Sequence, residues 1–125
     1  MPIDSEWSRC REWIKTEADE SGFYTIEWIE SEIGKRLTFW PSENGAVLTE
    51  FMDYPKGKAL NIFAACGKPN GSLRELLDVV EPCLETWAKL AGCKWILGFG
   101  RPGFQKTCKS MGYSPVWTVL VKELP

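Results

Sequence analysis

Residues 58–91, KALNIFAACGKPNGSLRELLDVVEPCLETWAKLA, decide the fold. In an extended chain Leu60, Ile62, Ala64 and Cys66 fall on one face, and Ala59, Phe63 and Ala65 fall on the other. Apolar side chains on both faces predict a strand covered from both sides, inside a sheet and not at its edge. The turn Gly67-Lys68-Pro69-Asn70-Gly71-Ser72 follows. It leads into a helix that presents Leu73, Leu76, Leu77, Val80, Leu84, Trp87 and Ala91 three or four residues apart, a stripe suited to packing on the sheet. Pro82 has no amide hydrogen to give and costs about 3 kcal/mol or more inside a helix. It predicts a kink, or a break with Pro82 in the first turn of a second helix. A helix that begins after such a turn offers free amides, the usual seat of an anion or phosphate, so the turn is a candidate ligand site.

Upstream, residues 5–19 read as a helix with Ser5 as N-cap and Trp7, Cys10, Ile14 and Ala18 on one face. Gly22 ends it. Residues 24–33 alternate like a strand at Tyr24, Ile26 and Trp28, but Ile29 and Ile33 continue only the helical spacing, which predicts a second helix closed by Gly34. Residues 36–40 and 46–53 are strand-like and joined by Pro41-Ser42-Glu43-Asn44-Gly45, a hairpin. With the break at Pro55-Lys56-Gly57 they extend into a three-stranded antiparallel meander.

Downstream, Gly92 is the expected helix cap, and residues 93–97 form a strand. Reached through a helical crossover, it should run parallel to the central strand. A turn at Gly98–Gly103, a short helix over 104–111 stopped by Gly112, and a last strand over 113–124 complete the order α-α-β-β-β-α-β-α-β. The fold class is α/β (α+β): a mixed, mostly antiparallel sheet flanked by helices, in one domain spanning 1–125.

Composition narrows the chemistry. With no histidine, Ser/His and Cys/His catalysis and histidine-ligated zinc are excluded, and no metal site is expected. Five cysteines, an odd number without a CxxC pair, read as reduced thiols, several of them packed as small apolar side chains. A net charge of -2 argues against nucleic-acid binding. No apolar run is long enough for a membrane span, and Met1-Pro2-Ile3-Asp4 is unlike an export signal, so a cytoplasmic protein is expected.

The stretch ETWAKLAGCKWILGFGRPGFQKTCKSMGY, residues 85–113, resembles the GNAT N-acetyltransferase superfamily in its run of helix end, A…G step, strand, turn and short helix closing in GY. The likeness covers about residues 58–124, and the first half matches in element order. WPSENGAVLTE, WAKLAGC, GRPGF and MGYSPVWTVLVKEL are also similar to small GNAT-like proteins encoded near the virion-assembly genes of tailed bacteriophages.

The superfamily resemblance implies acetyl-CoA as cofactor. Its pyrophosphate would be held by amides of a loop of the form Arg/Gln-x-x-Gly-x-Gly/Ala, here Gly67, Lys68, Asn70, Gly71, Ser72 and Leu73. Only Gly71 occupies a family glycine position, and Pro69 brings no amide hydrogen. The loop is degenerate, and its residues read equally as plain turn formers. The family's glutamate base corresponds to Glu50, which also reads as an exposed strand carboxylate. The family's tyrosine acid falls on Cys108, with Tyr54 and Tyr113 as alternatives; Cys108 also reads as a core residue. Arg101 is a further anion contact or a solvated turn residue. Trp40, Trp95 and Trp117, from three strands, are core residues or an aromatic surface for a protein partner.

Two functions follow. One is an acyl-CoA-dependent N-acyltransferase. The other is a non-enzymatic virion or assembly protein, in the host cytoplasm or the virion, whose partner is a virion component or a second copy. A thiol enzyme using Cys66 or Cys108 ranks behind both, for want of a basic neighbour to lower a thiol pKa.

Overall fold

The computed structural model describes residues 5–68, 72–98, 108–116 and 119–125, without the side chains of Ser72 and Leu73. Helix α1 (Ser5–Ser21) buries Trp7, Cys10, Ile14 and Ala18, the face that their spacing predicts. Helix α2 (Ile26–Glu32) is capped by Thr25, whose hydroxyl accepts from the Trp28 amide, and buries Ile26 and Ile29. Glu30 on α2 ties the two helices together. It accepts from Trp7 Nε1 at 2.8 Å and from both Arg11 Nε and Arg11 Nη2.

Strands β1 (Thr38–Pro41), β2 (Gly45–Tyr54), β3 (Gly57–Gly67) and β4 (Trp95–Gly98) form one sheet in the order β1-β2-β3-β4. The first three are an antiparallel meander, and β4 runs parallel to β3, as the helical crossover requires. Helices α1 and α2 cover one face through Ala46, Leu48, Phe39, Phe63 and Cys66. The other face packs Val47, Leu60, Trp40, Phe51 and Ile62 against the helical run that follows β3.

That central strand is covered on both faces, but not with the expected alternation. The β2–β3 register slips between Leu48 and Thr49, leaving Phe63 as the extra residue of a bulge. Phe63 and the next residue, Ala64, therefore both turn to the α1–α2 side, and Ala65 turns to the other. Gly45 sits where strand and helix come close: a Cβ there would lie 2.9 Å from the Cys66 carbonyl oxygen.

The run after the turn comprises α3 (Ser72–Glu75), a π-helical stretch (Leu76–Val80) and α4 (Glu81–Leu90). The Glu81 amide donates to the Leu76 carbonyl, five residues back, and Pro82 sits in the first turn of α4, where no amide hydrogen is needed. The break expected at Pro82 is thus made by a π turn. Its extra residue rotates the rest of the helix, so Leu84 stays buried and Glu81 and Ala88 join it. Trp87, expected in the stripe, is 38% exposed and packs edge-on against Trp40. Gly92 caps the helix at φ 79°.

A short 3-10 turn (Lys109–Met111) ends at Gly112 with φ 91°. The rest of the helix expected over 104–111 lies mostly outside the described residues. The last strand does not form among the described residues: 113–116 and 119–125 have no ladder partners there. Its alternation is present in the sequence, but a strand also needs a neighbouring edge, and none of the described strands pairs with this segment.

Candidate functional site

The bulge in β3 coincides with the end of β4. Pairing runs from Ala59 with Trp95 to Ile62 with Gly98, and β3 then continues to Gly67 with no described strand on that side. Among the described residues, then, the pairing of β3 with β4 ends next to a bulge, an irregularity common beside functional sites.

On the α1–α2 side of the sheet here, Glu50 and Asn61 are direct cross-strand partners, and Asn61 Nδ2 donates to Glu50 Oε1 at 3.1 Å. Arg36, from the α2–β1 connection, donates through Nε to Oε2 at 2.5 Å and lays its guanidinium over the Trp28 ring. Glu50 is buried and not solvent-facing. Both its oxygens already accept a hydrogen bond, Oε2 from the Arg36 cation and Oε1 from Asn61. The pair in turn raises the pKa of Arg36, chiefly through its hydrogen bond to Glu50. Asn61 Oδ1, also buried, has no partner among the described residues, an acceptor open to a small donor.

In the turn, Gly67 is still paired with Gly45, and the Lys68 amide donates to the Asn44 carbonyl at 2.9 Å. The Asn44 amide donates in the opposite sense to Glu75 Oε2 at 2.7 Å, and Ser42 Oγ reaches the same oxygen at 3.1 Å. Asn44 thus links Lys68 to a carboxylate on α3. Asn70 and Gly71 lie outside the described residues, as does Arg101, and Ser72 and Leu73 open α3.

Cys108 and Tyr54 are not beside Glu50. Tyr54 is the last residue of β2, four positions along and about 13 Å away at strand rise, and is exposed. Cys108 is buried, with its thiol pKa raised by burial and by the charge of Glu81. Burial also pushes the Cys66 thiol up to about 12, which removes it as a nucleophile. Of the tryptophans, Trp40 donates Nε1 to Thr49 Oγ1 and packs in the core, Trp95 is 40% exposed, and Trp117 lies outside the described residues.

A second polar cluster lies on α4. Glu81 is buried, accepts from the Tyr113 hydroxyl at 3.1 Å, and leaves Oε2 without a partner among the described residues. Burial first, and then the neighbouring Glu85, push its carboxyl up to about 7. Glu81 lies outside the apolar stripe expected for this helix, and its only signal in the sequence is its place four residues after Leu77 and three before Leu84. A carboxyl whose folded pKa is raised contributes stability fully below its unfolded value near 4.5 and loses it as pH rises through about 7. Unfolding in urea is therefore expected to be harder at about pH 5 than at about pH 8, and Glu81→Gln should flatten this difference. Equal slopes in the two proteins would show that Glu81 is not its source. Glu30, lowered chiefly by its hydrogen bond from Arg11, acts in a separate window and loses its contribution only as pH falls below the ordinary carboxylate range.

No protein-family model and no curated protein matches the chain in sequence. Solved structures do match in fold. A possible acetyltransferase from Clostridium difficile 630 superposes with a TM-score of 0.69 at 7% identity, over 100% of this chain and 95% of that one. A mutant form of the BH1408 protein from Bacillus halodurans gives 0.65 at 11% identity, over 98% and 94%. Wild-type TTHA1254 from Thermus thermophilus gives 0.51 at 16% identity, over 71% and 70%. At such identities the likeness concerns the fold, which is a GNAT-like α+β fold with a four-stranded mixed sheet. No described helix is long and apolar enough to cross a membrane, and the described residues contain no group of three or more potential metal ligands.

Proposed function

We propose that this GNAT-like domain works by binding protein, as a virion or assembly component of a tailed bacteriophage, and not by acyl transfer. The observation that carries the reading lies at the start of the cofactor loop, where the Lys68 amide is already held by the Asn44 carbonyl and the Asn44 amide by the Glu75 carboxylate. A pyrophosphate approaching Gly67–Leu73 would have to displace the first bond and sit beside a fixed negative charge. A charge-assisted bond withheld costs a ligand roughly 1.5–3 kcal/mol, about a tenfold to hundredfold loss of affinity. Glu50, with both oxygens engaged, and Cys108, buried beside Glu81, are poorly placed to serve as free base and acid. The likeness of WPSENGAVLTE and MGYSPVWTVLVKEL to small phage proteins supports the setting.

A melting curve with millimolar acetyl-CoA tests this. The expected result is an unchanged midpoint; a ligand at about a hundred times its dissociation constant would add roughly 2.7 kcal/mol and a clear rise.

Acyl transfer from acetyl-CoA is the second reading. It is favoured by the orphan acceptor Asn61 Oδ1 beside Glu50, near where the described pairing of β3 with β4 ends. Under it, Asn61 would orient an amine and Glu50 would exchange Arg36 for that amine's proton.

A further inference from the structure

The β1–β2 hairpin that engages the Lys68 amide is itself held from two sides. Arg9, near the start of α1, donates Nη1 to the Glu43 carbonyl and Nη2 to the Ser42 carbonyl, both at 2.8 Å. One planar guanidinium thus spans two consecutive carbonyls, a grip that its fork of donors allows and an ammonium does not. Its Nη2 also meets Glu6 at 2.7 Å, and the group lies over the Trp13 ring. From the other side, one carboxylate oxygen of Glu75 on α3 accepts from the Asn44 amide at 2.7 Å and from Ser42 Oγ at 3.1 Å. The two holds are also within electrostatic reach: the pKa of Arg9 is raised, first by its hydrogen bond to Glu6 and further by the charge of Glu75.

The Glu43 carbonyl and the Asn44 amide belong to one peptide unit, which is planar and points these two groups in opposite directions. Arg9 holds one end of that plane and Glu75 the other. With both in place the plane cannot turn, and the Asn44 carbonyl that follows it stays on the Lys68 amide at 2.9 Å. The hairpin has little slack to give elsewhere, because the Ser42 amide is tied to the Gly45 carbonyl at 2.9 Å. Two elements far apart in sequence, α1 and α3, therefore decide through a single peptide plane whether the amide at the start of the loop is available.

We propose that the peptide unit between Glu43 and Asn44 is a latch on the loop, held shut by Arg9 and Glu75, and that freeing either end releases the Lys68 amide to a phosphate-like anion. Arg9 is the end reachable from outside, with its side chain 35% exposed. Glu75 acts at close range, as a carboxylate sitting where it both fixes the plane and repels an incoming anion. The latch deepens the reading above by naming what regulates the loop. It rests on that reading only in taking the Lys68 amide as the group withheld: a wild-type protein that binds acetyl-CoA would overturn the reading, whereas the latch stands or falls on the variants below.

The test is the rate at which the Lys68 amide exchanges with solvent, followed in nitrogen–proton spectra and corrected for any change in global stability measured in urea. Arg9→Ala is expected to speed this exchange by about tenfold or more, although Arg9 does not bond Lys68 itself. Glu75→Gln should do the same from the other end. Arg11→Ala, which removes the pair with Glu30 on α2 and leaves the hairpin alone, should exchange at the wild-type rate. Arg9→Lys keeps the charge but cannot span two carbonyls, and should behave like Arg9→Ala. In Arg9→Ala, millimolar inorganic pyrophosphate should move the Lys68 signal saturably, and in the wild type it should not. Unchanged exchange in Arg9→Ala and Glu75→Gln would overturn the latch. So would an equal rise in Arg11→Ala, wild-type exchange in Arg9→Lys, or a released amide indifferent to pyrophosphate.

Discussion

Trp7→Ala is expected to destabilise the protein by about 3–5 kcal/mol. Trp7 is fully buried, meets Phe39 of β1 edge-to-face at 5.1 Å, and donates Nε1 to Glu30. It thereby joins α1 to both the sheet and α2. Truncation leaves a large cavity between them and takes one donor from a carboxylate that also binds Arg11. A domain of this size holds roughly 6–19 kcal/mol in all, so the variant should unfold at a much lower urea concentration. Trp7→Phe keeps the ring contact and loses only the hydrogen bond, and should cost less than half as much. Equal losses in the two would mean that the hydrogen bond, and not packing, carries the effect.

Arg36→Ala is the second large effect, about 2–4 kcal/mol, because it strands the buried carboxylate of Glu50 with Asn61 Nδ2 as its remaining donor. The penalty falls toward the lower end to the extent that Arg36 itself is half exposed and water can enter. Adding Glu50→Gln to Arg36→Ala removes the stranded charge and should recover part of the loss, giving a coupling energy in a double-mutant cycle. Additive losses in urea denaturation would contradict a functional pairing of the two residues.

How much of this the sequence discloses depends on what each element relies on. Helix α1 was legible because Trp7, Cys10, Ile14 and Ala18 repeat at helical spacing and the covering sheet needs nothing more specific. The parallel β4 followed from the crossover rule. The bulge at Phe63 left no trace, since an extra residue in an apolar run preserves its composition while reversing the faces beyond it. Pro82 signalled an interruption but not its form, and so the turn of phase that buries Glu81 and Ala88 and releases Trp87 was hidden. Glu50 was picked out by its place on β2, yet alternation alone does not tell which face a helix covers or that Arg36 arrives from another connection. Likewise residues 113–124 carry a strand pattern, and pairing depends on an edge that the pattern does not contain.

The central claim, that the Lys68 amide at the start of the loop between β3 and α3 is engaged by Asn44 and not offered to a ligand, is tested most directly by following backbone amides in a nitrogen–proton correlation spectrum during titration with acetyl-CoA. The account predicts that the Gly67, Lys68 and Ser72 signals stay in place and that the Lys68 amide, bonded to Asn44, exchanges slowly with solvent throughout. Saturable shifts centred on those three amides, with the Lys68–Asn44 bond giving way as ligand is added, would contradict it.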